Sequence, residues 1–241
     1  MLLVRLPKTE LEAKTSFLER HLALSFDALV DASTCGEWVR GVYEARSQWT
    51  GAFGGEQFSL GRAWYTDLEE DRARTYFENA RASDALVERQ MPGMQARLRE
   101  LAGAVIGADV VARPGWCGPG VHIFPAHQEV ACNGGVVHFD TEGLTEAHVA
   151  ARAPAFTLVL MLQPPEAGGG LRVWDVLFSG SHQVTEEMLG ATSVVARYQT
   201  GDLVVIDSYR LHQIQPFGGD RDRVSITCHA AFVAGRWETW F

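Results

Sequence analysis

The stretch Asn133-Gly134-Gly135-Val136-Val137-His138-Phe139-Asp140 is where residue types and spacing first suggest chemistry. His138 and Asp140 stand two apart at the end of an apolar, β-branched run. On a strand, residues i and i+2 point to the same face. An imidazole nitrogen and a carboxylate oxygen would then sit side by side. One more histidine makes a set of two imidazoles and one carboxylate. That set can occupy one face of an octahedral Fe(II) and leave the opposite face open. The spacing alone is weak. Eight His and twelve Asp in 241 residues supply roughly 0.4 His-x-Asp matches by chance. A turn-capping Asp beside a strand-end His accounts for it equally well.

A second set of polar residues lies downstream. Gly201-Asp202-Leu203-Val204-Val205-Ile206-Asp207 reads as a strand entered from a turn, and the chain then reaches Ser208-Tyr209-Arg210-Leu211-His212. After the turn Gly218-Gly219-Asp220 comes Arg223-Val224-Ser225-Ile226-Thr227-Cys228-His229. Period-2 alternation gives this strand an apolar face of Val224, Ile226, Cys228 and Ala230. Its other face carries Arg223, Ser225, Thr227 and His229. Such groups facing inward cost free energy unless they bind something. Arg223 and Ser225 suit a carboxylate: the guanidinium forks onto it and the hydroxyl adds a donor. The competing account is an Arg that points to water, like Arg221.

Together these residues resemble a known family. His138-x-Asp140, then His212, then Arg223-x-Ser225 after ten intervening residues, is similar to the signature of the Fe(II)/2-oxoglutarate-dependent dioxygenases. Thr157–Leu162, Gly168–Trp174, Gly201–Asp207 and Leu211-His212 match its strand texture, so the resemblance covers about residues 115–232. It implies that His138, Asp140 and His212 hold iron and that 2-oxoglutarate chelates the metal with its distal carboxylate on Arg223 and Ser225. It also implies that O₂ is consumed as a small molecule is hydroxylated by hydrogen abstraction, with release of succinate and CO₂. In halogenating relatives a small residue replaces the carboxylate ligand. Asp140 is present here, which favours hydroxylation. His229 is a rival for the second histidine. It lies six residues from Arg223, roughly 20 Å along a strand, long for a span bridged by a five-carbon acid, so His212 is preferred.

Family members often place cosubstrate or substrate contacts on the strand that holds His122, which makes His122 a cofactor-binding candidate. Thr141, Trp174 and Arg210 are candidates for substrate contact. His127 and Glu129, in a Pro- and Gly-flanked loop, read as solvated or as part of a lid. Two readings compete with the oxygenase. One is a cupin-like metalloenzyme that uses the same triad without 2-oxoglutarate. The other is a non-catalytic β-barrel binding module.

The elements that must position these residues follow from periodicity. Leu11, Phe17, Leu18 and Leu22 predict a helix over 8–24, followed by a short one over 28–32. Thr34-x-x-Glu37 reads as a capping box opening a helix with Trp38, Val39, Val42 and Tyr43. Gly51–Gly55 reads as a loop and 57–65 as a strand. The acidic run 67–71 reads as a solvated helix start, and two helices follow over 72–80 and 84–90. Pro92 would then open a long helix to about Ile106, with Met94, Leu98, Leu101 and Val105 as its buried stripe. Beyond Gly107, eight short β-rich runs separated by turns predict a closed or double-sheet β-architecture. These run over 109–113, 120–124, 135–139, 156–162, 171–176, 194–197, 202–207 and 224–232.

The fold class expected is mainly β with N-terminal helices, a double-stranded β-helix (jelly roll) braced by helices. A single domain spans 1–241. Residues 1–107 form a mostly helical support region, 108–235 the β core and 236–241 an aromatic tail. That tail, Arg236-Trp237-Glu238-Thr239-Trp240-Phe241, reads as docked on the barrel, as a cap over the site, or as a contact in a homodimer.

Bulk properties narrow the partners. A net charge of −9 disfavours nucleic acid and anionic membranes, which leaves a small-molecule substrate. No apolar run approaches the length of a membrane span. The start Met1-Leu2-Leu3-Val4-Arg5 lacks the pattern of a signal peptide. Cys35, Cys117, Cys132 and Cys228 show no C-x-x-C pair and read as reduced thiols of a cytoplasmic protein.

Overall fold

Two strands that join the main sheet open the chain, in a region whose spacing predicted a helix. The computed structural model describes residues 2–12 and 14–241. Met1, in the N-terminal stretch read above, and Ala13, in the first expected helix, lie outside the described residues. Strands β1 (Leu3–Leu6) and β2 (Ala23–Phe26) pair in parallel, with two single 3₁₀ turns between them. Every residue of β2 is buried. Leu11, Phe17, Leu18 and Leu22, whose spacing predicts the helix, lie in the second 3₁₀ segment and the loops beside it, not in the strand.

Helix α1 (Ala32–Glu44) begins at Asp31, whose carboxylate accepts from the Thr34 N–H at 2.9 Å. Asp31 is therefore the cap, Thr34 lies inside the helix, and no helix precedes it at 28–32. A hairpin follows, β3 (Thr50–Ala52) and β4 (Gln57–Leu60), and then α2 (Trp64–Glu69), α3 (Ala73–Gln90) and α4 (Met94–Ile106). The two helices expected over 72–90 are one. Ser83 and Asp84, at the expected boundary, find partners outside the helix: Ser83 Oγ accepts from the Arg62 N–H, and Asp84 Oδ1 from Gln95 and the Gly118 N–H. The acidic run is solvated at Glu69 and Asp71 but not at its first residue. Asp67 is fully buried and bridges Arg62 at 2.7 Å and Arg72 at 2.9 Å.

The β-rich half comprises β5 (Val110–Ala112), β6 (Gly120–Phe124), β7 (Ala155–Gln163), β8 (Ala167–Gly168), β9 (Leu171–Leu177), β10 (Ser193–Ala196), β11 (Leu203–Asp207), β12 (Arg210–Ile214), β13 (Phe217–Gly218), β14 (Arg223–Val233) and β15 (Arg236–Trp240). Short helices α5 (Glu129–Asn133), α6 (Glu146–Ala150) and α7 (Glu186–Gly190) fill the connections. The main sheet runs β1-β2-β11-β7-β14-β6-β4-β3, with β15 joining β14 to β5. A second sheet runs β10-β9-β12, and β13 pairs with β8. This is an open jelly roll rather than a closed barrel.

Alternation along β7 explains the layers. Leu158, Leu160 and Leu162 pack with Cys35, Trp38 and Val42 of α1 and with Met94, Leu98 and Val105 of α4. Val159 and Met161 point the other way and join Leu171 and Val173 of β9 in a second core between the sheets. On β14, Val224, Ile226, Cys228 and Ala230 lie in the helix-side core, which leaves its polar face toward the second sheet. The C-terminal residues are sheet, not tail: β15 pairs antiparallel with β14 and parallel with β5, and Trp240 and Phe241 are buried. All four cysteines are free, and only Cys132 is exposed. Among the described residues, no helix is long and apolar enough to cross a membrane.

Candidate metal centre

Residues 135–139 do not form the expected strand. His138 instead makes a single antiparallel bridge to His212 of β12. Each N–H donates to the other residue's carbonyl, at 3.1 and 3.0 Å, and the Asp140 N–H donates to the Ser208 carbonyl at 2.9 Å. The two imidazoles therefore face each other, with ring centroids 4.3 Å apart. His138 Nε2 lies 3.3 Å from Asp140 Oδ1, and His212 Nε2 lies 3.3 Å from Asp140 Oδ2. Three potential ligand atoms fall within 4.8 Å of one another.

The tautomers suit a metal. His138 Nδ1 lies 2.8 Å from the Val136 carbonyl and His212 Nδ1 lies 2.9 Å from the Arg210 carbonyl. A carbonyl only accepts, so each Nδ1 carries the hydrogen and each Nε2 offers its lone pair to the centre. Burial alone would raise the Asp140 carboxyl, but His212 and His138 outweigh it and hold it well below the usual carboxylate range. Two imidazoles and an ionised carboxylate, all aimed at one point, fit a divalent metal with open positions.

Arg223 occupies the same cavity. It is 1% exposed. Nη1 donates to Ser225 Oγ at 2.9 Å and Nε to the Gly169 carbonyl at 3.1 Å, with Phe124 and Tyr198 rings to either side. Gly169 adopts φ +68, and a Cβ there would meet Pro165 Cγ at 2.6 Å. Only glycine can present that carbonyl without strain. Among the described residues, no carboxylate pairs with Arg223. A buried cation without an anion is expensive, and burial accordingly lowers its pKa.

His122 lines the cavity and is buried. Its Nδ1 lies 3.0 Å from Gln57 Nε2, so it accepts, and the same amide contacts the Tyr65 hydroxyl. Burial, then His229 and Arg223, push the His122 imidazole down to about 3. His229 also lines the cavity but is not part of the three-residue cluster. Its Nδ1 faces Thr157 Oγ1 at 3.2 Å, and its ring stacks on Trp240.

The three substrate candidates, Thr141, Trp174 and Arg210, lie outside the cavity lining. Thr141 is buried beside the centre, with Oγ1 3.3 Å from His182 Nε2. On β9, Leu171 and Val173 face the inter-sheet core, so Trp174 takes the opposite face and donates to the Leu189 carbonyl. A register shift between Arg210 and His212 breaks their i, i+2 relation, and Arg210 pairs with Asp175 at 2.8 Å. His127 is exposed and pairs with Asp220 at 2.9 Å, while Glu129 accepts from Asn133.

Four cavity or rim residues escaped sequence reasoning. Tyr65 stacks on His138 at 6.3 Å, and Gln57 orients His122; they are the two ends of the expected strand 57–65, which in the structure stops at Leu60 and gives way to α2. Glu142 lies at the rim, its carboxyl raised by burial and by Asp140, with His182 3.8 Å away. Thr157 carried a usable signal, as the lone polar residue in the apolar run 156–162.

No family model matches the sequence, and no curated protein matches it. Solved structures do match. The non-heme alpha ketoglutarate dependent epimerase SnoN from nogalamycin biosynthesis is 16% identical with a TM-score of 0.58, over 92% of this chain and 85% of that one. An N-substituted L-amino acid dioxygenase from Burkholderia ambifaria AMMD is 14% identical with a TM-score of 0.59, over 94% and 89%. AviO1 from Streptomyces viridochromogenes Tue57 is 13% identical with a TM-score of 0.59, over 92% and 96%. At these identities the likeness establishes a shared fold.

Proposed function

We propose that this chain is an Fe(II)- and 2-oxoglutarate-dependent oxygenase that hydroxylates a small molecule. One observation carries the reading: two imidazoles and a carboxylate converge in the same cavity that holds a buried Arg223 with no anion. The first set suits a metal with open positions. The second calls for a ligand with a carboxylate. A 2-oxo dicarboxylic acid supplies both a chelating end and a distal carboxylate. Structures sharing the fold support the choice: SnoN has been crystallised with Fe3+ and alpha ketoglutarate, and the amino acid dioxygenase with alpha-KG.

His138, Asp140 and His212 would hold the iron. With 2-oxoglutarate and O₂, the metal supplies an oxidant able to remove hydrogen from an unactivated C–H bond, with release of succinate and CO₂. The chain's own residues do the rest. Arg223 and Ser225 take the distal carboxylate, and Tyr198 and Phe124 hold the guanidinium in place. His122, kept neutral by burial, orders the adjoining wall through Gln57 and Tyr65. Val159, Leu171, Ile206 and Ile214 line the cavity and exclude water, which strengthens every charged contact within it. Asp140 fills the position that a halide would need, which favours hydroxylation over halogenation. The cupin-like alternative leaves Arg223 without an anion.

The test is anaerobic optical titration with Fe(II) and 2-oxoglutarate. Chelation of the iron by a 2-oxo acid gives a visible charge-transfer band. The band is expected in the native protein, absent in His138→Ala and weakened in Arg223→Ala. Folded, iron-loaded protein without a band would overturn the cosubstrate assignment.

A further inference from the structure

We propose that Thr157 is a positioning residue that restricts Asp140 to a single metal-binding oxygen and so keeps open the coordination position that O₂ requires. This rests on the iron and 2-oxoglutarate reading above. Thr157 lies on β7 and is 2% exposed. Its Oγ1 donates to Asp140 Oδ2 at 2.6 Å. It also lies 2.9 Å from Ser208 Oγ and 3.2 Å from His229 Nδ1.

Hydrogen counting fixes the direction of this network. An ionised carboxylate only accepts, so the single hydroxyl hydrogen of Thr157 goes to Asp140. The two lone pairs of Oγ1 are then filled by the Ser208 hydroxyl and the His229 Nδ1–H. Each of the three contacts comes from a different strand or strand end: Thr157 from β7, His229 from β14, and Ser208 from the turn between β11 and β12. Trp240 of β15 stacks on the far side of His229, with ring centroids 5.6 Å apart and planes 28° apart. The hydroxyl can neither rotate away nor accept a different donor without breaking a buried contact. Donors that polarise one another also strengthen the last bond in the chain, the one to Asp140.

The consequence is a count of coordination positions. A six-coordinate ion bound by His138, His212 and one oxygen of Asp140 keeps three positions. A chelating 2-oxo acid takes two, and O₂ takes the third. If Asp140 bound through both oxygens, only two positions would remain, enough for the acid but not for O₂. Oδ1 faces His138 Nε2 and Oδ2 faces His212 Nε2, each at 3.3 Å, and among the described residues only Oδ2 accepts a hydroxyl hydrogen bond. Oδ2 is held by Thr157. The network therefore commits Oδ1 to the metal and withholds Oδ2. His229, whose type and strand position suggested a ligand, acts through Thr157 instead.

Nitric oxide, a reporter for a vacant position on Fe(II), tests this anaerobically without turnover. The variants are Thr157→Val, which keeps shape and removes the hydroxyl, and Thr157→Ser, which keeps it. With Fe(II) and 2-oxoglutarate bound, Thr157→Val should retain the charge-transfer band. Its iron–nitrosyl EPR signal should need about tenfold more nitric oxide, the scale of losses from outer-shell partners. Thr157→Ser should restore the native titration. If the valine variant does not accumulate as folded protein, Ser208→Ala removes one donor to Thr157 and should shift the titration in the same direction. Native nitric oxide titrations in Thr157→Val, or in Ser208→Ala where that variant stands in, with the band intact, overturn the proposal. Absence of the band from the native protein instead overturns the iron and 2-oxoglutarate reading.

Discussion

Replacing Arg223 with Met should make the ligand-free protein more stable while removing its response to 2-oxoglutarate. Arg223 is 1% exposed and pairs with no carboxylate among the described residues. Exchanging buried charges for hydrophobic groups of similar volume often stabilises by about 1–4 kcal/mol. The lost hydrogen bonds to Ser225 and Gly169 cost about 1 kcal/mol each, so the net gain is about 1 kcal/mol. For a chain of this size that raises Tm by about 2–4 °C. The native protein with metal should gain about 2.7 kcal/mol from 2-oxoglutarate at a hundredfold excess over Kd, or roughly 5–10 °C. The variant loses charge-assisted contacts worth about 3 kcal/mol. That weakens binding more than a hundredfold, and at the same concentration the shift nearly vanishes. Thermal unfolding followed by circular dichroism, with and without the acid under anaerobic Fe(II), measures both effects. A ligand-free variant several degrees less stable than the native protein would make Arg223 a structural pillar. A retained 2-oxoglutarate shift would place the acid elsewhere.

Gly120→Ala puts a Cβ inside the van der Waals shell of the Phe241 ring. It should lower stability by about 1–3 kcal/mol, read as a falling urea midpoint; an unchanged midpoint refutes the close packing. His122 has a folded pKa depressed to about 3. The stability it contributes is fully present above pH 6.5 and is lost as pH falls from 6.5 toward 3. The stability–pH slope in that window should flatten in His122→Gln, and an unchanged slope removes His122 as its source. Burial pushes Cys35 and Cys117 up to about 11 and Cys228 up to about 12. A disulfide-exchange reagent should therefore titrate one thiol, Cys132, in the native protein and four in denaturant. Fast labelling of a second thiol would contradict the burial.

The sequence made the second half of the fold legible where one face of each strand differs from the other. The alternation on β14 separates Val224, Ile226 and Cys228 from Arg223, Ser225 and Thr227, and the structure places the two sets on opposite faces. β2 gave no such contrast because both its faces are buried. Asp67 looked solvated because its partners Arg62 and Arg72 are brought to it by folding, which no local pattern records. β15 was missed because its pairing with β5 joins distant parts of the chain. At the centre, residue types and spacing pointed to His138, Asp140 and His212. They could not reveal the register shift that turns Arg210 away, nor the bridge that replaces the expected strand at His138.

That bridge links metal capture to loop closure. The segment after β6 meets β12 through three backbone hydrogen bonds, from Gly135 to Ile214 and the reciprocal pair of His138 and His212, and meets the turn before β12 through the bond from Asp140 to Ser208; the side chains of His138, His212 and Asp140 form the ligand cluster. An ion held there clasps a long excursion of the chain onto the sheet. Opening the clasp would pull His138 and Asp140 away from His212 and so give up ligands. If the centre holds a metal, its release should follow loop opening, and exchange of the amide protons of His138 and His212 would time it.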